Sequence, residues 1–303
     1  TVQKGFFAAA PFVNVGEMLN EGVDFIITFK GKANEFNYQF SLNGGFLHNE
    51  IIALAPGIES LPDRSNSYGN ITPVLNQVGQ PLSTFYGFDV LGLFNDQAEV
   101  DAAPTQEHAA PGRFRYRDVN GDGVINQGDR TTLGNPIADF TGGLSLSMGY
   151  RNFQLELFSF ASIGNEIYNI SKARTDFYGA GGGAIPEYIK ESWSFDNPTG
   201  DIPIYENTAN FSTNTQSNSY YVEDGSFFRL QNITVSYLVP MKIAHARGME
   251  DFRIYTSLNN VFTLTKYSGL DPGVGGASDT NFGIDQGNFP ITSNFAFGVN
   301  IDF

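Results

Sequence analysis

The residues with the clearest chemical spacing lie in one polar run, RYRDVNGDGVINQGDR, residues 115–130. Counted from Asp118, oxygen-bearing side chains fall at positions 1, 3, 5, 9 and 12 of a loop: Asp118, Asn120, Asp122, Asn126 and Asp129. Gly123 stands sixth, where a calcium loop turns sharply, and Val124 seventh, where the ligand is a main-chain carbonyl. Hard oxygen donors around one centre suit Ca²⁺ better than Mg²⁺, which holds on to its waters. The spacing therefore predicts a structural Ca²⁺ clamp on a long loop. Two features depart from the helix–loop–helix form. Asp129 is shorter than the usual bidentate Glu, and the flanks RFRYR and RTTLGNP do not read as helices. The competing reading is an Asx-rich turn that bonds only its own backbone.

Other reactive chemistry is thin. There is no cysteine, and the three histidines, His48, His108 and His245, are scattered. No G-x-S-x-G elbow, H-E-x-x-H pair or phosphate loop occurs, and the glycine-rich YGAGGGA (178–184) lacks the Lys-Ser/Thr that phosphate cradling needs. No enzyme is expected. Trp193, Tyr178 and Tyr86 are candidate substrate contacts, because aromatic faces stack on sugars; simple packing competes for each. A net charge of −15 disfavours nucleic acid as a partner.

The elements that must carry these residues are strands. NFAFGVNIDF alternates strictly: Phe295, Phe297, Val299, Ile301 and Phe303 share one face, and Ala296, Gly298, Asn300 and Asp302 the other. Six further stretches alternate with varying clarity, predicting strands near 23–30, 36–47, 140–150, 153–162, 227–238 and 252–262. Their apolar faces are rich in Phe and Tyr, and their polar faces are small and mostly uncharged. Short and long connections alternate between them. A turn at GKANE and a two-residue turn at Arg151–Asn152 are short; the segments to about 139, 226 and 293 are long. A short helix is expected at IPEYIKESW (185–193). No window approaches the roughly 18 apolar residues of a membrane-spanning helix, but a barrel strand needs only about 9–11. The fold class predicted is all-β, an antiparallel transmembrane β-barrel segment with long loops at one end.

Several motifs, in order, carry a resemblance. YRDVNGDGVINQGDRTTLGNP followed by a hairpin and GNEIYN, then YVEDGSFFRLQNITVSYLVP, LNNVFTLTKYSGLDPGV and the C-terminal GIDQGNFPITSNFAFGVNIDF are similar to SusC/RagA-type TonB-dependent transporters. NVGEMLNEGVDF resembles that family's entry into an earlier strand, with Asp24 for its usual Glu; Gly273 likewise stands where Glu is usual. The match runs from about residue 13 to 303. It implies import of oligosaccharides or peptides through a Gram-negative, Bacteroidota-type outer membrane. The resemblance also implies energy from TonB, a SusD-like surface lipoprotein as lid, and paired transporter–lid units. Family members carry a plug, a TonB-contacting segment and a 22-strand barrel, so residues 1–303 are expected to form the C-terminal part of such a barrel, without plug or N-terminal strands. Two other functions compete: a passive porin, and a soluble calcium-stabilised β-domain of a surface binding protein.

Overall fold

A computed structural model of the chain describes residues 16–62, 71–177, 186–240, 250–274 and 282–302. Seven strands form one antiparallel sheet: β1 (Glu17–Ala33), β2 (Phe36–Ala53), β3 (Phe140–Tyr150), β4 (Phe153–Ile163), β5 (Phe227–Leu238), β6 (Asp251–Thr265) and β7 (Asn294–Asp302). They lie in chain order, each hydrogen-bonded to the next. This is the up-and-down arrangement expected from the alternation of connections. No helix among the described residues is long and apolar enough to cross a membrane.

The register shows what the alternation achieves. One row crosses all seven strands as Phe29, Phe40, Leu146, Leu157, Ile233, Leu258 and Phe295, each opposite the next. One residue along each strand, the row reads Lys30, Gln39, Ser147, Glu156, Thr234, Ser257 and Ala296. Side-chain period two puts these rows on opposite faces. On the polar face, Thr234 and Ser257 hydroxyls meet at 2.9 Å, and Asn232 donates to Asn259, which donates to Asn294, both at 2.8 Å.

Nothing among the described residues covers the apolar face. Phe295 and Phe297 are 67% and 69% exposed, and the buried hydrophobic cluster contains no residue of the seven strands. A soluble sandwich would bury that row between two sheets. Phe303, expected to continue it, lies outside the described residues.

Two expectations need correction. The turn after β1 is Asn34–Glu35 alone, not GKANE, because Gly31, Lys32 and Ala33 pair with Tyr38, Asn37 and Phe36. Tyr38 lies over Gly31, where a Cβ would come within 2.4 Å of the ring. The glycine thus serves aromatic cover on a strand rather than a bend. Asn34 takes φ +55°, a value short polar side chains tolerate. At the same end of the sheet, Arg151 Nε donates to Glu35 at 2.6 Å, tying the first two short turns together.

The second lies within the long loops, which fold into a cap with a core of their own. Phe85, Phe88, Phe114, Tyr116, Tyr168 and Tyr221 are at most 1% exposed and gather segments from three long connections with Ile284. Short strand pairs such as Arg130–Gly134 with Phe85–Phe88 frame it. Connections this long rarely stay structureless in a compact region, and the buried rings supply the reason. The helix expected near 185–193 is a single 3₁₀ turn, Glu187–Glu191, opening at Pro186.

Candidate functional site

The cap is where the candidate residues lie, and it is strongly acidic. Residues 54–139, 164–226 and 266–293 hold 23 of the 32 acidic and 9 of the 17 basic residues, so −14 of the net −15 belongs to the loops. The rest of the chain is nearly neutral.

The Asp/Asn loop closes on itself. Asp118 accepts from the N–H groups of Gly121 (2.7 Å) and Gly123 (2.8 Å). Asn120 accepts from Asp122 N, and Asp122 from Val124 N. Gly121 and Gly123 take φ +74° and +82°, which a side chain would strain. Asn126 and Asp129 form a reciprocal cap of the following 3₁₀ turn. Asp129 is fully buried, and its oxygens accept from Val119, Asn120 and Asn126. Burial pushes its carboxyl up, but the N–H bonds and the neighbouring Asp118 outweigh this and hold it below its ordinary value.

Does this donor set suit a cation? Among the described residues, no three Asp, Glu or His side chains are gathered closely enough to hold a metal ion by themselves. A calcium loop is a mixed set, and each carboxylate oxygen that accepts one N–H keeps a second lone pair. Asp118, Asn120, Asp122 and Asn126 stand at the surface with such capacity. The Val124 carbonyl accepts from Asn126 Nδ2 at 3.0 Å. The donors are therefore compatible with Ca²⁺, with Asp129 as the inner staple.

The aromatic candidates are not brought together. Trp193 is 2% exposed, packed edge-on against Phe195 (5.2 Å) and against Gly112, so its ring is buried and offers no stacking platform; packing is its role. Tyr86 is half-buried, with the Arg130 guanidinium over one face of its ring at 4.8 Å. Neither lines any of the five cavities described below. Tyr178 lies outside the described residues.

Three features escaped the sequence reading. Asp176 is fully buried and accepts from Tyr188 and Tyr220, both at 2.6 Å. Burial and that carboxylate push the Tyr188 phenol up to about 12. Asp285 similarly accepts from Tyr267 at 2.6 Å. Second, Arg229 on the inner face of β5 is buried and donates to Asp271 beyond β6, which also accepts from the N–H groups of Gly273 and Ile291. The third is a cavity of about 590 Å³ at the mouth, where the inner face meets the cap. Met18, Asn49, Thr141, Phe160 and Phe227 line it from the wall, and Ile137, Pro272 and Phe282 from the loops. Arg229 and Asp271 leave a faint signal, as a charge within a strand and a D-P turn, but their pairing over 42 residues could not be read.

No family model matches the chain. Similar curated proteins are nonetheless consistent with one another. The TonB-dependent receptor P3 of Formosa agariphila is 29% identical over 303 residues, 96% of this chain and 29% of that protein. The TonB-dependent receptor SusC of Bacteroides thetaiotaomicron is 26% identical, covering 98% of this chain and 28% of that protein. Among solved structures, the RagAB peptide transporter superposes with TM-score 0.74 at 20% identity, over 96% of this chain and 30% of that one. The RagAB peptide importer in its open-open state superposes with TM-score 0.71 over 95% and 29%. The chain thus spans somewhat under a third of the length of the relatives it matches. In sequence, over nearly its whole length, it is similar to curated TonB-dependent receptors including SusC, and it shares its fold with part of the RagAB transporter.

Proposed function

We propose that this chain forms the C-terminal wall and outer cap of an outer-membrane barrel that imports oligosaccharides or peptides, driven by TonB and covered by a SusD-like lipoprotein. The observation that carries this reading is the pair of rows across the sheet, hydrocarbon-facing on one side and hydroxyl- and amide-bearing on the other. Such a wall separates lipid from an aqueous lumen. Among the described residues, strands β1 and β7 are each paired on one side only, so further strands would complete the barrel. The curated relatives named as TonB-dependent receptors support energised import over a passive porin. The exposed apolar row disfavours a soluble domain.

The test is uptake by cells expressing the full-length protein. Deleting TonB abolishes accumulation of the solute if the reading holds; uptake that persists without TonB means a porin, and extraction into buffer without detergent means a soluble domain. Within the cap, we propose that the Asp118–Asp129 loop binds Ca²⁺ as a structural clamp. The donor spacing and the two positive-φ glycines support this.

A further inference from the structure

Five cavities among the described residues of the wall and cap differ in one respect. Those of about 400, 370, 240 and 150 Å³ each contain a charged side chain: Arg115 and Asp201, Glu156, Asp24, or Arg151 and Arg253. The mouth cavity, at about 590 Å³ larger than these four, is lined by no charged residue among the described residues. This is unexpected beneath a cap carrying −14. Apart from the exposed Thr141 hydroxyl, its few polar side chains bond partly to one another. Asn49 donates to Asn20 at 2.6 Å and accepts from Leu82 N at 2.8 Å, and Ser162 donates to Asn165 at 2.9 Å. What remains is a rim of Met, Leu, Ile, Val and three phenyl rings, with Phe160 and Phe227 tilted together at 5.9 Å.

Resting on the transporter reading, we propose that this cavity is a solute subsite that seats an uncharged apolar group, an aliphatic or aromatic side chain of an imported peptide. A sugar ring stacked on a phenyl face would still turn most of its hydroxyls toward Met, Leu, Ile and Val, with few polar partners, a cost that falls on each unpaired group. An apolar side chain leaves none. The volume lies in the range of small-ligand pockets and exceeds one side chain, so two neighbouring residues of a peptide fit. The position is also apt. The cavity opens between the polar inner face and the loop ends 136–138 and 272–274, on the path from outside to lumen. Its far wall is fixed, because Asp271, held by Arg229, accepts from Gly273 N at 2.7 Å. The acidic cap above repels anions before they arrive and admits neutral or cationic chains.

The experiment uses the full-length transporter with its lid in detergent and three probes. These are a doubly capped hexapeptide Ser-Gly-Leu-Phe-Gly-Ser, its counterpart with Ser replacing Leu and Phe, and maltohexaose. Wild type is expected to bind the first peptide about tenfold or more tighter than the other two, the yield of burying one or two apolar side chains. Thr141→Trp, at an exposed position of the cavity wall, fills the space and removes that preference; Thr141→Ser keeps it. Where the tryptophan blocks assembly, Phe282→Ser, on the partly exposed rim, weakens the preference instead. Equal affinity of wild type for the two peptides, tighter binding of maltohexaose, or a preference that survives both Thr141→Trp and Phe282→Ser overturns the inference. TonB-dependent uptake is scored separately in cells, so a porin would fail there while the peptide preference could still be measured.

Discussion

Arg229 donates from Nη2 to Asp271 Oδ1 at 2.5 Å, joining the inner face of the wall to the loop between the last two strands. Arg229 is 4% exposed, and its Nε also donates to Thr263. Removing one partner of a buried pair costs about 3–5 kcal/mol because the other stays desolvated and uncompensated. Asp271 is only partly buried, so Arg229→Ala is expected near the lower end. Asp271→Asn is expected to cost at least as much, since Gly273 and Ile291 bond different oxygens, an amide keeps only one of them, and Arg229, the more buried partner, loses its counter-charge. Thermal unfolding of the detergent-solubilised protein, with proteolysis of the 266–293 loop, checks both.

The same carboxyl sets a pH dependence. Burial raises its affinity for a proton, but the N–H groups of Ile291 and Gly273 and the Arg229 guanidinium outweigh burial and hold Asp271 below its ordinary value. A group depressed in the folded state contributes stability above its unfolded pKa, about 3.9, and loses it as pH falls through the folded value. The loop should therefore stay protected from protease above about pH 4 and loosen below it. Asp271→Asn should flatten that profile. A wild-type profile that is flat in acid would remove the carboxyl from this role.

Phe297 and Ala296 are neighbours in β7 on opposite faces, opposite Thr256 and Ser257 of β6. Phe297→Lys puts an ammonium in hydrocarbon and is expected to cost about 2–4 kcal/mol near mid-bilayer. Ala296→Lys, one residue away, points to the polar side and is expected to cost well under half as much. Folding yields of the two variants in lipid vesicles compare them directly; equal yields would mean that the faces are not lipid and lumen.

The contrast between those two residues also shows what was legible beforehand. Alternation is local, so all seven wall strands stood in the sequence, and chain-order pairing followed from the short and long connections. Strand ends were less legible: Gly31 reads as a turn residue until Tyr38 is seen to cover it. The cap was illegible for another reason. Phe88 packs on Tyr116 and Phe211, 28 and 123 positions away, and no period in the chain announces such contacts. The Asp/Asn loop was readable because its bonds span at most 11 residues. Arg229 with Asp271, and the mouth cavity, join distant segments and needed coordinates.

Removing calcium tests the loop. If the ion bridges Asp118, Asn120 and Asp122, chelation should speed proteolytic cutting near residues 118–129, and Ca²⁺ should restore protection where Mg²⁺ does not. Asp118→Asn removes a charge and keeps an oxygen for only one of Gly121 and Gly123, so it should weaken the calcium effect and also loosen one side of the turn. Asp129→Asn should loosen the loop even with calcium present, because it disturbs a fully buried staple. Cutting that ignores chelator in wild type would mean the backbone bonds alone hold the turn.

The cap and wall are expected to fail separately. Phe88 is fully buried, stacked on Tyr116 at 4.9 Å and edge-on to Phe211 at 5.1 Å, and it pairs with Arg130 in the short sheet. Phe88→Ala should cost about 3–5 kcal/mol, through lost burial and the cavity left behind. No residue of the wall strands belongs to that cluster, and the wall is held by ladder bonds between long strands. The loss should therefore fall on the cap: loops 71–139 and 187–223 become protease-sensitive while the seven strands stay embedded. Partner binding at the outer face should weaken with it. Heat-modifiable migration of the barrel, unchanged in Phe88→Ala alongside a nicked cap, is the expected result. A variant that fails to insert at all would show that the cap core forms before the wall and guides it.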